Sequence, residues 1–233
     1  MLPNIIDTSQ SAFIRGRELL DSILVANEVV EDIKREKTKW VIIKVDYEKT
    51  YDSMRWDFLY YMMDRLGFSR KWIGWSKECM ESSTISVLVN GTPTQEFKPT
   101  RGLRQGDPTA AFLFIIVAEG LAGLVRQAVK NKLLEGVKVG INEVEINILQ
   151  FAEDTLFVCN AKYQNVVTTK SILKCFVLAS GLKVNFHKSK IGVIGIEKSE
   201  LDRFSETLNY NQTKIPFKYL RLPIGGNPRK KEF

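Results

Sequence analysis

Histidine is almost missing: His187 is the only one in 233 residues. That excludes histidine-rich zinc sites and any pair of histidine ligands. The three cysteines, Cys79, Cys159 and Cys175, stand far apart without metal-ligand spacing, and read as reduced thiols of an intracellular protein. No stretch approaches the roughly 18 uninterrupted apolar residues of a membrane span. The start, MLPNIIDTSQ, lacks a basic region followed by an apolar signal core. The expectation is a nuclear or cytoplasmic protein, neither secreted nor held in a membrane. Internal repeats and low-complexity sequence are also missing, and only the basic end NPRKKEF reads as a linker.

A hydrophobic content of 44% is ample for a substantial core. The net charge of +7 suits a polyanionic partner and permits nucleic acid without demanding it. From Ser11 to about Arg35, Leu19, Ile23, Ala26, Val30 and Ile33 fall on one face of a surface helix. Val41–Val45 is a β-branched run too short for a helix, the mark of a strand buried on both faces, and Asp46 ends it. Helices are expected over 56–66 and 70–82, joined at Gly67, and Asn90-Gly91 signals a hairpin. The basic loop PTRGLRQGDPTA leads, with Asp107 as helix cap, into an apolar helix over 110–129 that must pack inside a domain. A strand pair near 137–147 and helices over 164–180 and 199–208 complete an irregular alternation. That order points to an α+β domain, an antiparallel sheet with helices on one face.

The stretch LQFAEDTLFV, residues 149–158, sets Glu153 and Asp154 side by side inside an apolar run. By itself it is a β-hairpin with its turn at 152–155 and solvated acids at the tip. Asp46 by itself is a strand-end residue entering a turn. If the two strands lie side by side, however, the three carboxylates gather at one sheet edge and repel one another, unless divalent cations hold them together. Hard oxygen ligands suit Mg²⁺. Two such ions about 3.5–4 Å apart promote in-line displacement at phosphorus.

Four blocks, KVDYEKTYDSMRWDFL, TRGLRQGDP, LQFAEDTLF and SGLKVNFHKSK, preceded by QSAFIRGRELLDSILVANEVV, occur in this order. Together they resemble the reverse transcriptases of plant non-LTR (LINE-type) retrotransposons over most of the chain. The resemblance implies a polymerase palm-like sheet and an RNA-directed DNA polymerase. Such an enzyme uses an RNA template, a DNA primer, dNTPs and two Mg²⁺ ions, with Mn²⁺ as a substitute. It makes Asp46, Glu153 and Asp154 the catalytic metal ligands. Tyr51 corresponds to an aromatic gate against the ribose 2′-hydroxyl, which is also consistent with a core aromatic. Gln105 corresponds to a glutamine near the incoming nucleotide and template, and Lys188 to a lysine proposed as general acid to the leaving pyrophosphate. Arg101, Arg104, Lys183 and Lys190 are then candidates for template or primer phosphates, or simply solvated cations.

Several positions depart from the family pattern. Glu153 stands where the first of two adjacent aspartates is usual, Thr50 replaces a small alanine, and GDPTAAF replaces a Leu-Ser-Pro run. In YLRLPIGG, Arg221 takes a glycine's place at a backbone position suited to φ > 0. The expected division is a fingers-to-palm helical segment over 1–40, a palm over 41–195, and a C-terminal helix with a primer-side hairpin over 196–233. With only nine residues before Gln10, the fingers are expected to be partial and the thumb absent. Two readings follow: a truncated, slowed polymerase, or an inactive remnant that binds nucleic acid.

Overall fold

In the computed structural model, which describes residues 2–226, the chain is built around one five-stranded sheet. The segment NPRKKEF, expected to be a linker, lies outside the described residues. The strands are β1 (Trp40–Val45), β2 (Ile148–Phe151), β3 (Asp154–Asn160), β4 (Lys190–Ile194) and β5 (Asn211–Gln212), in spatial order β5-β4-β1-β3-β2. All neighbours are antiparallel except β4 and β5. The main helices are α1 (Leu19–Glu36), α2 (Trp56–Arg65), α3 (Arg70–Glu81), α4 (Ala110–Lys130), α5 (Tyr163–Ser180) and α6 (Lys198–Leu208).

Central β1 is apolar on both faces, and its period-two alternation divides the interior into two cores. Val41, Ile43 and Val45 join Phe157 and Cys159 beneath α2, α4 and α5. Trp40 and Ile42 join Leu156 and Val158 on the other face, where Ile23, Ala26, Val29, Val30 and Ile33 of α1 cover them. The antiparallel sheet with its helical layer matches the expectation from sequence, and α1 adds a helix to the second face. Two ribbons share that face: Val137–Val139 with Val144–Ile146, and Phe217–Tyr219 with Leu222–Ile224.

By length and composition α4 is apolar enough to cross a membrane. It is instead the centre of the larger core, since Phe114, Ile115, Val117 and Leu121 are at most 1% exposed. Burial of each such side chain contributes roughly 1.5–3 kcal/mol.

The first helix is shorter than its periodicity predicts: it begins at Leu19, not near Ser11. The preceding residues are drawn off by the sheet. Ser11 N donates to the Gln150 carbonyl at 3.0 Å and Gln150 N to the Ser9 carbonyl at 2.7 Å, so this segment runs along the outer edge of β2. Arg17 then donates to the carbonyls of Asp7, Gln10 and Ile6, and Phe13 and Gly16 take positive φ. A helix starts only where Glu18 and Asp21 form a reciprocal capping box.

Candidate active site

The pairing of β1 with β3 sets the site. Val45 lies opposite Thr155, so the next position in register places Asp46 opposite Asp154. Residues two apart share a face. Asp46 therefore lies on the face of Lys44 and Ile42, and Asp154 on that of Leu156, beyond the end of the core that α1 covers. The carboxyl of Asp46 is pushed up, first by burial and then by the charge of Asp154, against the opposing pull of Lys188 and Lys44. Lys44 Nζ lies 3.7 Å from Asp154 Oδ1.

Main-chain bonds fix Asp46. Its N–H donates to Ser189 Oγ at 3.1 Å, and Asn185 N donates to its carbonyl at 2.8 Å. Ser189 is fully buried, and the turn over 185–189 that presents it also carries Lys188, whose N–H donates to Asn185 Oδ1 at 3.1 Å. Lys190 lies directly across from Lys44. Side chains directly opposite share a face, so two lysines flank the acid pair. Lys183 lies opposite Glu48 in a short ribbon.

The hairpin is tighter than expected. Phe151 pairs with Asp154, which leaves only Ala152 and Glu153 in the turn, with Ala152 at φ 52°. Sequence reasoning missed the group that holds this turn. Gln10 is 1% exposed; its Oε1 accepts from the N–H groups of Ala12 and Ala152, each at 3.0 Å, and its Nε2 donates to the Ala152 carbonyl at 3.4 Å. Gln10 opens the block QSAFIRGRELL, which is its only signal in the sequence.

The three acids do not form one cluster. Among the described residues, no group of three acidic, cysteine or histidine side chains is close enough to hold a metal ion. Asp154 is in register with Asp46, whereas Glu153, one residue earlier on the turn, acts on Tyr51: burial and then the Glu153 charge raise that phenol. Tyr51 sits in a single helical turn, Thr50–Ser53, its ring centroid 5.5 Å from that of Phe114. It is a core contact as well as a neighbour of the turn acid.

The loop bearing Arg101, Arg104 and Gln105, all exposed, is tied to the same helical turn. Leu103 N donates to the Tyr51 carbonyl at 2.6 Å and Gly102 N to that of Met54 at 2.7 Å. Gly102 has φ +87°, and a Cβ there would lie 2.7 Å from the Asp52 carbonyl oxygen. Asp107 is not the cap of α4. It closes an Asx turn, accepting from Thr109 N at 2.8 Å and Thr109 Oγ1 at 2.7 Å, and Thr109 stands at the N-cap. On the opposite side, burial and then Asp154 raise the Tyr219 hydroxyl, which places the C-terminal hairpin beside the acid pair. Its turn residues Leu220 and Arg221 have φ 50° and 67°, the left-handed geometry a glycine would favour.

Residues 1–224 match the family model described as reverse transcriptase (RNA-dependent DNA polymerase). The chain belongs to the reverse transcriptase family. This reverse transcriptase domain is 25% identical over 195 residues to the Pol polyprotein of the Drosophila melanogaster retrotransposable element R2DM, covering 83% of this chain and 18% of that protein. It is 23% identical over 192 residues to the 149 kDa transposon TX1 protein of Xenopus laevis, covering 81% of this chain and 14% of that protein. A shorter match, 47% identical over 71 residues, is to the mitochondrial protein AtMg01250 of Arabidopsis thaliana, 30% of this chain and 58% of that one. The chain thus spans less than two thirds of the length of each relative.

Among solved structures, apo telomerase from Candida tropicalis, truncated from its C-terminal domain, superposes with TM-score 0.57 at 19% identity, over 81% of this chain and 37% of that one. Telomerase from Candida albicans, solved with a TWJ fragment of telomeric RNA, gives TM-score 0.58 at 13% identity, over 78% and 31%. At these identities the likeness is one of fold, and it is a polymerase palm. Reverse transcriptase domains in general use divalent metal ions for catalysis.

Proposed function

We propose that this chain is an RNA-directed DNA polymerase domain of the plant non-LTR retrotransposon type, which joins a deoxynucleotide to a primer 3′-hydroxyl on an RNA template. The observation that carries this reading is the Asp46–Asp154 register pair at the end of β1 and β3. The family match supports the chemistry, and the Arabidopsis relative supports the plant type.

The donor set fits magnesium or manganese. Two carboxylates face each other, Asp46 is pushed up partly by its partner's charge, and magnesium binds through one or two carboxylates plus substrate phosphates. Asp46 and Asp154 would hold the ions, with Glu153 the adjacent acid. Held by these two carboxylates, divalent ions would supply activation of the attacking hydroxyl and stabilisation of the leaving oxygen. Lys188, whose charge acts on Asp46, is the residue that donates a proton to the leaving pyrophosphate in this reading. Tyr51 bars a ribose 2′-hydroxyl, and its tether to Leu103 ties that gate to the loop on which Gln105 meets template and nucleotide. Arg101, Arg104, Lys183 and Lys190 meet phosphates without reading sequence.

A second reading, nucleic-acid binding without catalysis, draws on two observations: no three-acid group is present among the described residues, and Lys44 lies 3.7 Å from Asp154. Primer extension on an RNA template with Mg²⁺ or Mn²⁺ separates the two. Asp46→Asn or Asp154→Asn should abolish extension. Glu153→Asp, which restores the usual pair of adjacent aspartates, should raise it by up to the order of 10²-fold, the rate cost of a group displaced by about 1 Å. RNA binding with no extension by either the native chain or Glu153→Asp would establish the second reading.

A further inference from the structure

The Gln105 loop forms one wall of a cleft of about 830 Å³. The other wall is α3 with the start of the exposed hairpin that follows it. Helix α3 has no buried residue, yet it presents two tryptophans, Trp72 at 57% and Trp75 at 53% exposure. Large aromatic rings left in water by a surface helix mark a binding face. The two rings meet edge to face with centroids 6.0 Å apart, and Lys71 Nζ sits 4.8 Å from the Trp75 ring centroid. Trp75 thus has a ring and an ammonium beside it, and both tryptophans line the cleft.

The charge of this region is one-sided. Between residues 70 and 105, Arg70, Lys71, Lys77, Lys98, Arg101 and Arg104 stand against Glu78, Glu81 and Glu96. Exposed rings beside an excess of cations are the two components of single-strand recognition, stacking for bases and charge for the backbone. A duplex offers phosphates but no free base faces, and an apolar protein segment gives the cations nothing to neutralise.

We propose that this cleft binds an unpaired stretch of nucleic acid, with bases stacked on Trp72 and Trp75 and phosphates met by Arg101 and Arg104. Its identity as template strand rests on the polymerase reading, because the cleft continues into the loop of Gln105. Binding itself needs no catalysis.

Tryptophan fluorescence of the whole chain, titrated with a short oligouridylate without metal or dNTP, tests this directly. Trp40 is buried away from the cleft, whereas Trp56 lines it at 9% exposure, so the difference in quenching between the native chain and the Trp72→Ala and Trp75→Ala variants assigns the signal to the exposed pair. Trp72→Ala and Trp75→Ala should each weaken binding roughly 5- to 100-fold, whereas Trp72→Phe should keep most of it. Arg101→Gln and Arg104→Gln should each lower the salt slope by about 0.7. The same strand annealed to its complement should show no dependence on the tryptophans. Affinity of the double alanine variant within twofold of the native chain overturns the proposal. So does unchanged RNA affinity with reduced self-association, which would mark a protein-docking face. Loss of primer extension in Asp46→Asn with unchanged oligouridylate binding bears on the polymerase reading and supports the cleft; native extension with unimpaired binding by the tryptophan variants overturns the cleft alone.

Discussion

Replacing Gln10 with alanine removes the amide that spans the edge segment and the acid-bearing turn. Two backbone N–H groups, of Ala12 and Ala152, each lose an acceptor at 3.0 Å, and the Ala152 carbonyl loses a longer bond at 3.4 Å. A buried donor left unsatisfied costs about 1–3 kcal/mol. Two donors, with some water entering the vacated space, put the loss at about 2–4 kcal/mol, or roughly 4–16 °C in Tm for a domain of this size. The effect on activity should be larger than the lost stability accounts for. Ala152 holds φ 52° directly before Glu153 and Asp154, and a shift of about 1 Å there costs on the order of 10²-fold in rate. Urea unfolding gives the first number, and primer extension under conditions where the variant is fully folded gives the second. Oligouridylate affinity should not change. A stability loss under about 0.5 kcal/mol together with native extension rates would refute the bracing role.

Two further outcomes follow from the geometry of the site. In the folded chain Asp46 holds its proton more tightly than a free aspartate, mainly through burial and secondarily through Asp154. Its stabilising contribution is therefore full below the ordinary aspartate range and is lost as pH rises through the raised folded value. At neutral pH without metal, Asp46→Asn should thus melt above the native chain, the gap closing as the pH is lowered, while added Mg²⁺ should raise the melting temperature of the native chain alone; a lower-melting variant at neutral pH would contradict this. Arg221→Gly relieves a left-handed residue that costs about 1–2 kcal/mol, offset in part by the added freedom of glycine in the unfolded chain. It should raise the urea midpoint by the equivalent of up to about 1 kcal/mol, and a lowered midpoint would show that the arginine side chain makes a stabilising contact.

Local pattern carried much of this fold, and long-range pairing the remainder. The β-branched run of β1, the Asn90-Gly91 hairpin and the all-round apolar α4 are each written in consecutive residues, and each lies where the sequence puts it. Arg221 was also legible, because a residue in a glycine's place signals positive φ and the turn has it. By contrast, the pairing of Ser9–Ser11 with Gln150 leaves no periodic trace in either segment, so the start of α1 was misplaced. The Asp46–Asp154 meeting could be inferred only by assuming that two distant strands are neighbours. Glu153 is adjacent to Asp154 in sequence, but on a two-residue turn it falls outside the strand register that pairs Asp154 with Asp46, and its charge is felt by Tyr51. Asp107 was misassigned for a different reason: an Asx turn and an N-cap share the same local sequence preferences.

Because β1 and β3 come from distant parts of the chain, their carboxylates meet only when the sheet itself is paired. Contacts so remote in sequence form slowly. The electrostatic penalty of the acid pair therefore arises together with the strand pairing that buries β1, whose apolar contacts offset it. A chain holding only one of the two strands carries neither the penalty nor the pair.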